Sequence, residues 1–265
     1  MEAAHTQHEV QHLLPARPLR AAMLAFIAAL ACLEVSAGVV VSEAWRQREQ
    51  GTGGLELYEL DEMLARLRAL EGVVVIGAVV LTMLWSFVAV HNAARVGRNT
   101  RSALFAMVSW VLAPIAMLFI GRADTQQMPL LIGIGTLTLQ AGVLWLPFGT
   151  IGSASAKIGG QRAPFFHWYM AMLLGFVVFR LFTQGTDVLQ MRPSEDLGTV
   201  ASMSLVNGVV IGVMMMMAAE ASRSMQQATA EKLFQRQQLR DDAFDRFRHA
   251  AHEHELMQRV TAPHA

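Results

Sequence analysis

The chain has 265 residues, of which 54% are hydrophobic and only 16% are charged. Soluble domains carry about 25% charged residues, so this composition indicates an integral membrane protein. The basic and acidic residues number 21 each, and this balance argues against a nucleic-acid binder or a polybasic membrane-surface protein. The single cysteine, Cys32, excludes an intrachain disulfide framework and a cysteine-rich metal site.

Six apolar stretches are long enough to cross the roughly 30 Å hydrocarbon core of a bilayer as helices. They show no period-2 alternation, and a backbone in lipid must satisfy its hydrogen bonds within its own segment or a closed barrel. We therefore expect an all-α, polytopic bundle of six transmembrane helices. The six stretches are residues 21–41, 72–90, 102–121, 129–149, 165–183 and 199–219.

The positions of Lys and Arg predict how this bundle is oriented. Arg95, Arg98 and Arg101 lie in the loop after the second stretch, and Lys157 and Arg162 lie in the loop after the fourth. Neither loop contains an acid, and short cytoplasmic loops of membrane proteins are enriched in basic residues. We expect a multi-pass protein of the plasma membrane with both termini in the cytoplasm.

The first stretch has an alternative interpretation as a cleaved signal peptide. Val35, Ser36 and Ala37 form a small-residue cleavage pattern after a basic flank and an apolar run. The preceding flank is long, however, and apolar residues continue to Val41. These features favour a retained span, and the mass of the mature chain distinguishes the two interpretations.

The sequence divides into a cytoplasmic N-terminal segment (1–18), a transmembrane domain (19–221) and a cytoplasmic helical tail (222–265). Within the transmembrane domain, leucines recur every three or four residues over about 55–71, with charged residues between them. This pattern predicts an external amphipathic helix after the glycine-rich residues 51–54.

The tail is predicted to be a helix that continues from the sixth span. It contains neither glycine nor proline from Glu220 to Arg259 and is rich in good helix formers. Its apolar stripe is thin, so a solvated or membrane-skimming helix and a dimerising helix both fit. The stripe comprises Met225, Leu233, Phe244, Phe247 and Ala251.

Glu34 is the polar residue that most needs a partner, because a carboxylate inside a span costs roughly 3 kcal/mol on insertion scales. Counting 1.5 Å per residue from the middle of each span places Arg180, Gln140 and Asn207 at similar depths. These four residues are predicted to form an intramembrane polar cluster. The cluster either lines a path for a substrate or proton, or fixes helix packing.

Small side chains at every fourth position predict two helix-packing seams, where another helix backbone can approach closely. The seams serve either packing within one chain or a homodimer. One lies on the sixth span and the other on the first, and they comprise Ser204, Gly208 and Gly212, and Ala21, Ala25 and Ala29.

No catalytic residue and no cofactor are predicted, because no nucleophile, phosphate-binding or dinucleotide-binding motif appears in a supporting context. His5, His8 and His12 would share one helical face and are weak candidates for metal ligands. The segment that carries them supplies no rigid second shell, so we expect no metal.

The stretch from 60 to 122 contains a span that ends in Trp85 and Asn92, followed by a span with Trp110 and Pro114. It covers about a quarter of the chain and resembles an uncharacterised family of multi-pass membrane proteins common in actinobacteria. The resemblance implies a membrane location but no activity. Physically, the tryptophans suggest interface anchors, Asn92 a helix-end cap and Pro114 a kink.

Together these features predict a non-enzymatic scaffold or accessory subunit in the lipid bilayer. It would bind a protein partner or a second copy of itself, and no nucleic acid, through the tail or the external helix. The alternative is a small transporter or channel that uses the cluster around Glu34. A water-accessible cavity at that cluster would favour transport, and a dry, tightly packed bundle would favour the scaffold.

Overall fold

A computed structural model of the protein describes residues 13–51, 54–97, 103–121, 130–185 and 197–261. All regular secondary structure in these ranges is helical, which confirms the predicted all-α class. The six helices are α1 (Ala16–Glu49), α2 (Gly54–Gly97), α3 (Ala103–Gly121), α4 (Leu130–Lys157), α5 (Ala163–Gly185) and α6 (Leu197–Thr261).

Among the residues that the structure describes, three helices are long and apolar enough to cross a bilayer. They are α1, the part of α2 from Tyr58 to Gly97 and the part of α6 from Gly198 to His252. Two shorter apolar segments, Ala103–Ala113 and Ala163–Val177, lie in α3 and α5. By length and composition, the chain has the helices of a membrane-associated protein.

The outer faces of the long helices carry large apolar side chains. Val39 of α1, Ile76 of α2 and Val209 of α6 are exposed, whereas Glu34 of α1 is buried. Contiguous apolar surface of this kind is rare on monomeric soluble proteins. The arrangement is therefore the one expected for helices whose outer surface faces lipid.

α1 packs against α2 and α6 along its length and runs antiparallel to both. Leu14, just before α1, exchanges hydrogen bonds with Asn92 in the last turns of α2. Trp45, in the last turns of α1, packs beside Gly198 at the start of α6. We call these opposite ends of the bundle the Asn92 end and the Trp45 end.

Two glycines let the backbones of α1 and α6 approach closely. A Cβ at Gly208 of α6 would lie 2.5 Å from Val35 Cγ2 and 3.2 Å from the Ala31 carbonyl oxygen. A Cβ at Gly38 of α1 would lie 3.1 Å from the Ala201 carbonyl oxygen. Such distances leave no room for a side chain, so the contact depends on glycine at both positions.

This contact involves only part of the predicted small-residue seams. Ser204 and Gly208 are buried, but a Cβ at Gly212 would meet nothing within 4 Å. The seam predicted on the first span is exposed, because α6 meets a different face of α1, the one that carries Ala31, Val35 and Gly38. The exposed residues are Ala21, Ala25 and Ala29.

Aromatic side chains fill the core between α2, α3, α4 and α5. The Trp110 ring lies 5.1 Å from Phe148 and 5.6 Å from Trp168, and Trp168 lies 6.1 Å from Trp85, between ring centroids. Trp110 also donates its indole N–H to Ser86 Oγ at 2.8 Å. Tilted and edge-to-face pairs of this kind stabilise a core beyond their buried area.

Three residues singled out by the family resemblance have structural roles other than those expected. Trp85 and Trp110 belong to the core and are not interface anchors, since they are 0% and 9% exposed. Asn92 does not cap a helix end, because α2 continues to Gly97. Its side-chain amide instead holds the backbone of Leu14 through two hydrogen bonds, of 3.0 and 2.9 Å. α3 is helical on both sides of Pro114.

The predicted external amphipathic helix is not a separate element. Residues 54–71 form the first part of α2, which continues through Gly72 into the apolar stretch as one 44-residue helix. A Cβ at Gly72 would meet nothing, and this single glycine is tolerated within the helix. The continuous helix thereby brings Arg68 beside Glu34 of α1 and Ser204 of α6.

α6 is a single helix of 65 residues, about 98 Å long at 1.5 Å per residue. Its first part packs against α1 and α5. The helix then continues past Glu220 without a break, as the absence of glycine and proline in the tail predicted. One rigid element therefore joins the bundle to the polar C-terminal part of the chain.

We expect Gly208→Val to destabilise the protein by about 1–3 kcal/mol, because the added side chain would overlap Val35. Gly212→Val is the matched control, since it adds the same atoms one turn further along α6 in open space. Thermal unfolding of both variants in the same detergent measures the difference. Equal melting temperatures would show that the α1–α6 contact tolerates a larger residue.

Candidate functional site

A cluster of ionisable side chains lies where α1, α2 and α6 meet. Glu34 is 7% exposed, and its Oε2 lies 3.6 Å from Arg68 Nη1. The same Nη1 atom lies 2.5 Å from Glu71 Oε2, and Arg68 Nη2 donates to Ser204 Oγ at 3.2 Å. We call Glu34, Arg68, Glu71 and Ser204 the Glu34 cluster.

The local sequence explains why these groups converge. Arg68 and Glu71 are three residues apart on α2, so they share one face of the helix. The long arginine side chain lets its charged head reach Glu34 on the neighbouring helix. Ser204 is small, and its hydroxyl supplies the acceptor that faces the guanidinium on α6.

The charges of the cluster do not balance. One guanidinium faces two carboxylates, which leaves a formal excess of one negative charge. Glu34 Oε2 has no hydrogen-bond donor within the described part of the chain. Buried acceptors usually have a partner, so this oxygen is the atom at which a proton or a cation would be held. The cluster can therefore hold α1, α2 and α6 together, or it can take up and release a proton or a cation.

The register of the helices also changes the depth of Glu34. The contacts of Leu14 with Asn92 and of Glu34 with Arg68 place the apolar run of α2, residues 72–90, beside about 13–31 of α1. Glu34 thus lies level with the polar start of α2, beyond the end of that run. Counting from the middle of its own span had placed it deeper.

The predicted polar cluster of four residues is described only in part. Gln140 is 2% exposed in α4, whose main neighbours are α2, α3 and α5, whereas α1 packs mainly against α2 and α6. Asn207 is half-buried in α6, and the side chain of Arg180 lies outside the described residues. A single cluster of these four residues stays a prediction.

Arg68 is the partner of Glu34 that the sequence analysis missed. It was assigned to a separate external helix, and only a continuous α2 brings it beside α1. The sequence signal that could have identified it is the pair Arg68 and Glu71, which lie one helical turn apart directly before the apolar run 72–90.

The candidate metal ligands His5, His8 and His12 lie outside the described residues. Within the ranges that the structure describes, no group of three or more His, Cys, Asp or Glu side chains is arranged to hold a metal ion.

The second functional candidate is the exposed part of α6. Every residue from 237 to 252 is exposed, including the large side chains of Leu239, Phe244 and Phe247. Just before this stretch, Arg236 donates to the Arg95 carbonyl oxygen at 3.2 Å. We call residues 237–252 the α6 extension. It projects about 24 Å from that contact at 1.5 Å per residue.

Comparison with known proteins gives no match. No protein-family model, no curated protein and no solved structure matches this chain.

We expect the Glu34–Arg68 pair to show a coupling free energy of about 0.5–3 kcal/mol in a double-mutant cycle with Glu34→Gln and Arg68→Gln. Glu34 is buried, so removing Arg68 leaves its carboxylate with less compensation. The measurement is chemical or thermal unfolding of the four proteins in detergent.

The matched control is the Glu62–Arg66 pair in the same helix, whose atoms are 2.6 Å apart with both side chains exposed. Exposed pairs contribute about 0–1 kcal/mol. If the two cycles gave the same coupling, the Glu34 cluster would have no special role in holding α1, α2 and α6 together.

Proposed function

We propose that the protein is a membrane scaffold or accessory subunit that binds a protein partner through the α6 extension. The observation that carries the proposal is a fully exposed helix bearing Phe244 and Phe247, which are 51% and 75% exposed. Most of the stability of a helix in a protein comes from the packing of its apolar face against another element. A partner that covers the phenylalanines would stabilise the extension.

The charges of the α6 extension favour a protein over a lipid surface. It contains three arginines and three aspartates, so the formal charge is zero with histidine neutral. Helices that lie on anionic membranes carry an excess of basic residues. Exposed aromatic side chains between charges of both signs are typical of helix–protein interfaces.

We further propose that all six helices cross the plasma membrane, with both termini in the cytoplasm. α1 and α6 run antiparallel, so the start of α1 and the α6 extension lie at the same end of the bundle. The arginine-rich residues 95–101 and the loop with Lys157 and Arg162 are predicted for that side. The Asn92 end would then be the cytoplasmic end.

A transporter or channel is the second candidate, and the Glu34 cluster is the observation that favours it. Buried acidic residues within membrane helices often mark ion or proton pathways. The excess negative charge would be neutralised by the transported proton or cation. Flux into vesicles containing the purified protein, and its loss in Glu34→Gln, would distinguish this function from a scaffold.

We expect reporters fused to the N-terminus and to the C-terminus to lie on the cytoplasmic side, because an even number of spans returns the chain to its starting side. Loop positions are tested by introducing single cysteines into a Cys32→Ser background and comparing their labelling in intact and in opened cells. Residues near 125 and 190, between proposed spans, should be labelled from outside. Labelling of the two termini on opposite sides would contradict six spans.

A photo-reactive phenylalanine analogue at Phe247 should crosslink to one defined protein in native membranes. The same analogue at Gln238, on the opposite face of the α6 extension, should crosslink much less. The double substitution Phe244→Ser and Phe247→Ser should abolish co-purification of that protein, whereas the single substitution Gln238→Ser should not. Crosslinks only to lipid, or equal crosslinking from both faces, would contradict the proposed interface.

A further inference from the structure

A cavity of about 470 Å³ opens at the Asn92 end of the bundle, between α1, α2 and α6. Its wall combines polar, basic and apolar side chains from all three helices. The lining residues include Arg17, Trp85, Asn92, Arg223, Gln226 and Leu233. Arg17 in its wall is 17 residues, or about 26 Å at 1.5 Å per residue, from Glu34 along α1, so the cavity is separate from the Glu34 cluster and goes beyond the function proposed above.

Three buried hydrogen-bond donors in and beside this cavity lack an acceptor within the described residues. They are Trp85 Nε1, Gln226 Nε2 and Arg20 Nε. Arg20 Nη1 donates to Gln226 Oε1 at 2.9 Å, which fixes the amide and leaves its nitrogen free to donate elsewhere. Buried polar groups are rarely left unpaired, so donors without acceptors at one place indicate a missing acceptor.

The charged side chains that line the cavity are both arginines, whereas Glu220 and Glu231 line an adjacent pocket that also includes Arg223. The described lining residues of the cavity include Arg17 and Arg223 and no acidic residue. Arg20, hydrogen-bonded to the lining residue Gln226, lies close enough to Arg223 for their charges to interact. Like charges gathered around free donors are costly unless an anion joins them. Guanidinium groups bind phosphate and carboxylate oxygens strongly and with defined geometry.

The position of the cavity restricts what this anion is attached to. Arg17 lies just before the first apolar stretch, Asn92 just after the second and Arg223 just after the sixth. These residues are therefore level with the headgroups of one leaflet. Trp85, by contrast, lies inside an apolar stretch, so the wall changes from polar to apolar within one cavity. An acceptor attached to an acyl chain fits both parts.

We propose that this cavity binds the headgroup phosphate of an anionic phospholipid. The phosphate oxygens accept hydrogen bonds from Arg17, Arg223 and the free donor of Gln226, the deeper ester oxygens of the lipid accept from Trp85 Nε1, and the acyl chains leave along the apolar wall. Basic pockets between membrane helices on the cytoplasmic side are suited to such headgroups. The lipid would join α1, α2 and α6 at the end where the α6 extension begins.

The test is native mass spectrometry of the full-length protein in detergent, titrated separately with phosphatidylglycerol, phosphatidylcholine and sn-glycerol 1-phosphate. We expect phosphatidylglycerol to bind tightest. Arg223→Gln should weaken phosphatidylglycerol binding about tenfold, as expected for the loss of a charge-assisted hydrogen bond. Arg162→Gln is the matched control, because Arg162 is exposed and does not line the cavity.

Trp85→Phe is a second variant that removes the indole donor and leaves the aromatic ring in the core. It should also weaken phosphatidylglycerol binding, and thermal unfolding checks that each variant remains folded. Equal binding of the two phospholipids, or equal loss in Arg223→Gln and Arg162→Gln, would overturn the proposal. Binding of glycerol phosphate as tightly as phosphatidylglycerol would assign the cavity to a soluble phosphate compound and overturn the lipid assignment.

Discussion

The close approach of α1 and α6 is the constraint on which both ends of the bundle depend. Gly38 and Gly208 allow the two backbones to meet where other residues would force them apart. With this separation fixed, Ser204 comes within hydrogen-bond distance of Arg68 near one end. At the other end, Arg20 reaches Gln226. Removing either glycine would therefore disturb polar contacts several turns away.

α2 connects this glycine-dependent pair of helices to an aromatic core of a different kind. On one side, α2 gives Arg68 and Asn92 to contacts with α1. On the other, Trp85 and Ser86 pack with aromatic residues of α3 and α5. Trp85 takes part in both, since its ring packs beside Trp168 and the residue also lines the proposed lipid cavity. Trp85 is thus one of the residues that join the two halves of the bundle, together with Met23 of α1 and Met225 of α6.

Much of the helical organisation could be predicted from the sequence, because apolar runs and the absence of helix breakers are local properties. The unbroken α6 is an example. The need of Glu34 for a compensating partner could also be predicted, because burying a carboxylate is costly wherever it occurs. These predictions depend on one segment at a time.

The identity of that partner could not be predicted in the same way. Counting depth assumes that the apolar runs lie level, but α1 and α2 are shifted relative to each other so that Glu34 meets Arg68. Such a shift is set by packing between residues far apart in the chain, as at Gly208 and Val35. For the same reason, the contact of Asn92 could not be predicted, because its side-chain amide binds Leu14, which lies 78 positions away in the chain.

The unbroken length of α6 has a mechanical consequence. No glycine or proline lies between Val213 and Thr261 to act as a hinge, so the helix behaves as a stiff rod. A small tilt of its inner half within the bundle is converted into a larger sideways movement at Phe247, in proportion to the distance from the pivot. Whatever holds that phenylalanine in place would in turn restrict how far the inner half can lean.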